Sequence, residues 1–208
     1  METVWLGCME YKRALDLQLS FVERRAARVA KDTLLLLTHP HVYTFGRAGN
    51  PANLLASPEA LMREGIPVER VGRGGDVTYH GPGQLVGYPI VLLARPDVHR
   101  FVRSLESALI EALESFDIPS RRVDGFTGVW ANGRKIASIG VGVRKWVTYH
   151  GFALNVNTEL SYFRRIHLCG LKGFEATSMA EMAGGEIPME EIRERVAESC
   201  DRHVRGFS

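Results

Sequence analysis
The run from Arg73 to Tyr88, RGGDVTYHGPGQLVGY, concentrates residues able to hold a ligand and opens onto the apolar stretch Val86 to Leu93. Its glycines allow the backbone to approach a bound molecule and present bare N–H groups, while the interleaved Thr78, Tyr79, His80, Gln84 and Tyr88 supply specific hydrogen bonds. The apolar stretch reads as a buried strand, a rigid support for the polar loop. The plainer reading is a glycine-rich surface turn. Cys169, in RRIHLCGLKGF, lies among basic and glycine residues instead of in an apolar period. Arg164, Arg165, His167 and Lys172 would favour its thiolate if their charges reach it, and Gly170 leaves room for a substrate. Cys169 is therefore the best nucleophile candidate, its alternative being an inert buried loop cysteine.

A nucleophilic cysteine needs a group to take its proton. In a strand following Asn132-Gly133, Lys135, Ala137 and Ile139 share one face, where apolar neighbours would desolvate the amine and favour its neutral form. Otherwise Lys135, two residues past a turn, snorkels to solvent. His80 and His150 recur in TYHGPG and TYHGFA, which points to one shared pocket or to two satisfied half-buried histidines. His39 and His41 are expected to point the same way on an extended segment, but no third metal ligand is identifiable, so no metal site is assigned.

Cys8 falls in an apolar, strand-like N-terminal segment and reads as packing, and Cys200 occupies an apolar helical stripe. With three cysteines and no C-x-x-C pair, a disulfide framework or structural zinc is disfavoured. A net charge of +2 with dispersed basic residues gives no nucleic-acid signature. Arg24, Arg25, Arg28 and Lys31 form a local cluster, either a solvated helix face or a contact for an acidic partner. There is no apolar run of membrane-spanning length and no signal-peptide pattern at the N-terminus, so the expectation is a cytoplasmic protein. No G-x-x-x-x-G-K-[ST] occurs, and Gly72, Gly74 and Gly75 lack dinucleotide-fingerprint spacing, so neither ATP nor NAD has a motif behind it.

The elements that must carry these residues form an α+β pattern with a mixed, largely antiparallel sheet, in one domain spanning residues 1–208. Leu15, Leu19, Val22, Ala26 and Val29 give an amphipathic helix over 11–30, and 34–38 and 42–45 read as strands. Ser57-Pro58-Glu59 opens a short helix to Gly65. Asp97 caps a second long helix whose apolar stripe runs from Val98 to Phe116. Asn132-Gly133 marks a type I′ hairpin between 127–131 and 134–140, another strand covers 146–156, and a final helix from Met189 to Val204 could form an appendage.

With these residues assembled, the chain closely resembles the bacterial octanoyltransferases of lipoate biosynthesis, or lipoyl(octanoyl) transferases. The resemblance rests on RGGDVTYHGPGQLVGY, then GVWANGRKIASIGVGVRKWVTYHGFALNVN, then Cys169-Gly170 with Thr177-Ser178 downstream. It implies the biotin and lipoate-protein ligase fold. It also implies that Cys169 carries an acyl-thioester, that Lys135 depresses its pKa and relays protons, and that Arg73, Gly74, Gly75, Asp76, Val77, Thr78, Tyr79 and His80 line the acyl pocket. Ser138, Ile139 and Gly140, with Gly151, Phe152 and Ala153, are implied as further lining. The family usually has Pro before its cysteine, where this chain has Leu168. The implied donor is octanoyl-acyl-carrier-protein, and the implied acceptors are lipoyl domains of 2-oxoacid dehydrogenases and the glycine cleavage H protein. No cofactor is implied, because a thioester is already activated. An ATP-dependent lipoate-protein ligase, an amidotransferase between lipoyl-dependent proteins and a non-catalytic acyl-binding module are the rival readings.

Overall fold
A computed structural model describes residues 1–167 and 173–207. Cys169, Gly170 and Lys172 lie outside the described residues. β1 (Glu2–Cys8) and β2 (Thr33–Thr38) pair in parallel. A parallel pair needs a crossover, and α1 (Tyr11–Ala26) supplies it. α1 is shorter than the apolar spacing suggests: Arg28 takes φ +60° and its N–H returns to Arg25, which closes the helix before Val29. β3 (Val42–Phe45), α2 (Pro58–Arg63), β4 (Val68–Arg70) and β5 (Val77–His80) follow, with Ser57 Oγ capping α2 through the Ala60 N–H at 3.2 Å. β3, β4 and β5 form a small sheet of order β4-β3-β5.

β6 (Gln84–Ile90) enters the main sheet, and all seven of its residues are buried. α3 (Val98–Glu114) is capped by Asp97, which accepts from the Arg100 N–H at 2.8 Å, and it buries Phe101, Leu105, Leu109 and Leu113. Burial of each such side chain contributes about 1.5–3 kcal/mol. β7 (Arg121–Val123), β8 (Phe126–Ala131), β9 (Arg134–Arg144) and β10 (Val147–Asn155) complete a seven-stranded sheet of order β1-β2-β6-β10-β9-β8-β7. α4 (Met179–Ala183) and α5 (Met189–Val204) end the chain. The β8–β9 turn places Asn132 at φ +47° and Gly133 at φ +74°, as a type I′ turn demands. The β9–β10 turn uses Lys145 and Trp146, both at positive φ and with no glycine to announce them.

Side-chain alternation splits the core. Leu34, Leu36, Leu85 and Leu154 face α3 and α5, while Leu35, Leu37, Val86 and Ala153 face α1. The last helix is no appendage: Ile192, Val196, Cys200 and Val204 are buried in the main core. Cys200 is inert there, since burial pushes its thiol up to about 12. Cys8, by contrast, is exposed, and the packing role expected for it is not found. In the basic cluster Arg25 is spent on Asp32 at 2.6 Å. No helix among the described residues is long and apolar enough to cross a membrane.

Candidate active site
A cavity of about 440 Å³ lies between the small sheet and the β9–β10 face of the large one. β9 and β10 pair so that Ser138 faces Ala153, Ile139 faces Phe152 and Gly140 faces Gly151. The glycine-rich loop crosses this floor. The Gly74 N–H donates to the Val141 carbonyl at 3.0 Å, and a β-carbon on Gly140 would come within 2.8 Å of the Gly74 carbonyl oxygen. The loop can therefore lie this close only above a residue with no side chain.

Arg73, Gly75, Asp76, Val77, Thr78, His80, Lys135, Ser138, Ile139, Gly140, Gly151, Phe152 and Ala153 all line the cavity. Gly74 and Tyr79 are not among the lining residues. Gly74 acts through its backbone. Tyr79 lies on the opposite face of β5 from Thr78 and His80 and packs with Tyr43, Tyr162 and Phe163, because strand side chains alternate. Asp76 accepts from the N–H groups of Val77 at 2.7 Å and Asn50 at 3.0 Å, and also from the Asn53 side chain. Asn53 in turn accepts the His167 N–H at 2.8 Å, which ties the loop to the chain immediately before the undescribed residues.

Lys135 is 7% exposed and does not snorkel. Its face is not the one strict alternation requires. Val129 pairs with Ala137 but Trp130 pairs with Lys135, so β9 carries one extra residue at Ile136. Ile136 and Ala137 consequently both join the helical core, and Lys135 shares the cavity with Ser138 and Gly140. Its Nζ lies 5.2 Å from the Trp130 ring centroid. The Lys135 backbone is also paired on its other edge: its N–H donates to Glu175 and its carbonyl accepts from Thr177, both at 2.9 Å. The chain just after the undescribed residues is thus anchored beside the lysine.

His80 and His150 both reach the cavity, joined by Tyr88 from the end of the same run and by Tyr11, which no sequence pattern singled out. His39 and His41 diverge. His39 is buried between the Met9 carbonyl at 2.6 Å and Tyr88 Oη at 2.7 Å, whereas His41 turns to Tyr79 and Tyr162. Pro40 interrupts the strand between them, so period-two alternation does not apply. Burial, opposed by the Met9 hydrogen bond, lowers His39 to about 4, and burial with Arg73 and Arg47 nearby lowers His150 to about 3. Burial likewise holds His80 well below its ordinary value and raises Tyr11 to about 12. This end of the cavity therefore holds neutral rings around one guanidinium. Arg73 is fixed by donating to the Thr44 carbonyl at 2.6 Å and Thr44 Oγ1 at 2.8 Å. Arg165, near Cys169 in sequence, is paired with Glu64 at 2.7 Å and lies over the Tyr162 ring. Among the described residues no group of three or more His, Cys, Asp or Glu could hold a metal ion.

A buried network ties the halves of the site. Gln84 Oε1 meets His80 Nδ1 at 2.8 Å, Gln84 Nε2 donates to Asn155 Oδ1 at 2.9 Å, and Asn155 Nδ2 donates to the Thr177 carbonyl at 2.9 Å. Because Gln84 donates through its amide nitrogen, its oxygen must accept, which leaves His80 Nε2 as the acceptor nitrogen.

The lipoyl protein ligase A/B catalytic domain matches residues 10–201. The chain belongs to this family. An octanoyltransferase of Syntrophobacter fumaroxidans is 49% identical over 194 residues, 92% of this chain and 85% of that protein. One from Geotalea uraniireducens is 47% identical over 213 residues, 100% of this chain and 94% of its own. In fold, the chain is similar to the bipartite lipoate protein ligase of Thermoplasma acidophilum, with a TM-score of 0.75 at 15% identity over 98% of this chain and 83% of that one. The mixed sheet flanked by helices is the architecture of the lipoyl protein ligase A/B family, and the cavity between its two sheets is where this member gathers its polar and glycine residues.

Proposed function
We propose that this acyltransferase moves an octanoyl group from octanoyl-acyl-carrier-protein to the ε-amine of a lysine on a lipoyl domain, through a thioester on Cys169. The observation that carries the reading is the buried Lys135 amine, which β9 brings into a cavity walled by the glycine-rich loop, Ser138 to Gly140 and Gly151 to Ala153. Val77, Ile139, Phe152 and Ala153 give the acyl chain apolar wall, at about 0.8 kcal/mol per buried CH₂.

In the first half-reaction the Lys135 amine takes the Cys169 thiol proton, and the thiolate attacks the thioester carbonyl of the donor. The tetrahedral oxyanion is held by backbone N–H donors of the glycine-rich segments, then collapses to expel the carrier thiolate, which recovers the proton from Lys135. In the second, the acceptor lysine must be neutral to attack. Lys135 removes the proton of the attacking amine and returns it to the departing Cys169 sulfur, which restores the enzyme. No nucleotide enters this sequence, because the donor is already a thioester. Lipoyl domains of 2-oxoacid dehydrogenases and the glycine cleavage H protein are the acceptors this chemistry fits.

The test is an intact-protein mass spectrum after mixing with octanoyl-acyl-carrier-protein without ATP, for the wild type and for Cys169→Ser. A single octanoyl adduct on the wild type alone, discharged by a lipoyl domain, supports the reading. Transfer that begins only when ATP is added would replace it with ligase chemistry.

A further inference from the structure
Glu106 lies on the apolar stripe of α3 and is wholly buried beside Leu105 and Leu109. A carboxylate there is costly, and an apolar residue would satisfy the stripe better. Its Oε2 accepts from Arg103 Nη1 at 2.8 Å and Arg122 Nε at 3.0 Å, while Oε1 accepts the backbone N–H of Gly128 at 3.0 Å. The β7–β8 pairing is irregular at this point. Val123 pairs with Phe126 and Arg121 with Trp130, so four steps along β8 span two along β7. Glu106 thus supplies an acceptor within a stretch where the ladder is broken.

Gly128 has φ +131°, a conformation other residues rarely take. A β-carbon there would come within 2.5 Å of the Ala137 carbonyl oxygen, 2.7 Å of Lys135 Cε and 3.3 Å of Lys135 Nζ. The lysine stem therefore crosses β8 over the one residue of that strand without a side chain, with Trp130 beside its Nζ. We propose that Glu106 and Gly128 are positioning residues for Lys135: the carboxylate pins Gly128 in the conformation that leaves a channel for the lysine stem, and so presents the amine to the cavity. This rests on the reading of Lys135 as the proton acceptor.

Reach and charge can be separated at Glu106. Gln keeps an oxygen at the same distance for the Gly128 N–H, whereas Asp keeps the charge but falls a methylene short. The experiment is single-turnover octanoylation by octanoyl-acyl-carrier-protein across pH, with melting temperatures measured alongside. Glu106→Asp should lose about tenfold or more in rate with KM unchanged, since a displacement near 1 Å can cost a hundredfold. Its rising pH limb should move toward the ordinary thiol range, and Glu106→Gln should recover most of the rate. A wild-type rate and pH profile in Glu106→Asp, or impairment of Gln with Asp intact, overturns the positioning role while Lys135→Met stays inactive. Full activity in Lys135→Met would instead remove the base, and the positioning role with it.

Discussion

Gly140 on β9 pairs directly with Gly151 on β10, and each is kept bare by a different neighbour. A side chain on Gly140 would meet the Gly74 carbonyl, whereas one on Gly151 would strike the Gly87 carbonyl and Pro89 of β6. Gly140→Ala should therefore push on the loop, raising KM for the acyl donor at a stability cost of about 1 kcal/mol, because a loop can shift. Gly151→Ala presses on the central sheet and should cost about 3 kcal/mol. Urea denaturation with steady-state kinetics separates the two; equal stability losses would contradict this assignment of neighbours.

Lys135→Arg should abolish transfer although charge is kept, because the guanidinium does not deprotonate at working pH. The longer planar head must also fit where the Lys135 amine crosses Gly128 beside Trp130. The check is adduct formation by mass spectrometry. Near-normal octanoylation of the arginine variant would take Lys135 out of proton transfer.

Acid should destabilise the protein through its buried histidines. His39 and His150 are lowered to about 4 and about 3, and His80 is lowered too, all below the unfolded value near 6.5. Between those limits the unfolded chain binds protons that the folded chain refuses. Their contribution is thus fully present above about pH 6.5 and is lost as pH falls toward 4. Melting temperatures at pH 7.5, 6 and 5 should decline, with a shallower slope in His39→Gln. An unchanged slope in that variant would show that His39 titrates normally when folded.

Asn155→Ala should destabilise by about 1–3 kcal/mol, since it strands the Thr177 carbonyl and leaves the Gln84 amide only its bond to the Tyr79 carbonyl at 3.2 Å. Through Thr177 the loss extends to the backbone of Lys135. The expected result is a lower denaturation midpoint together with a lower rate. A stable but slow variant would mean that the network serves the reaction alone.

Most of the site was legible because its signals are local. The glycine-rich run, the Asn132-Gly133 turn and the paired TYHG pieces announce backbone conformation and hydrogen-bonding groups within a few residues of each other. Asp97 and Ser57 announced their helices by the same short-range chemistry. What the sequence missed has no local mark. Tyr11 opens a helix far from the loop and Glu106 interrupts an apolar stripe, yet the first lines the cavity and the second reaches β8.

The sequence alone determined which groups are available, Cys169, Lys135 and a loop able to approach a ligand, and the periods that sort residues into helix and strand. Only the tertiary structure decided which way they face. The extra residue at Ile136 turned Lys135 from the core face to the cavity, alternation along β5 sent Tyr79 away from it, and Pro40 parted His39 from His41. Each outcome depends on register against a neighbouring strand or helix, which is set by long-range pairing and core packing and is not encoded in the spacing of one segment.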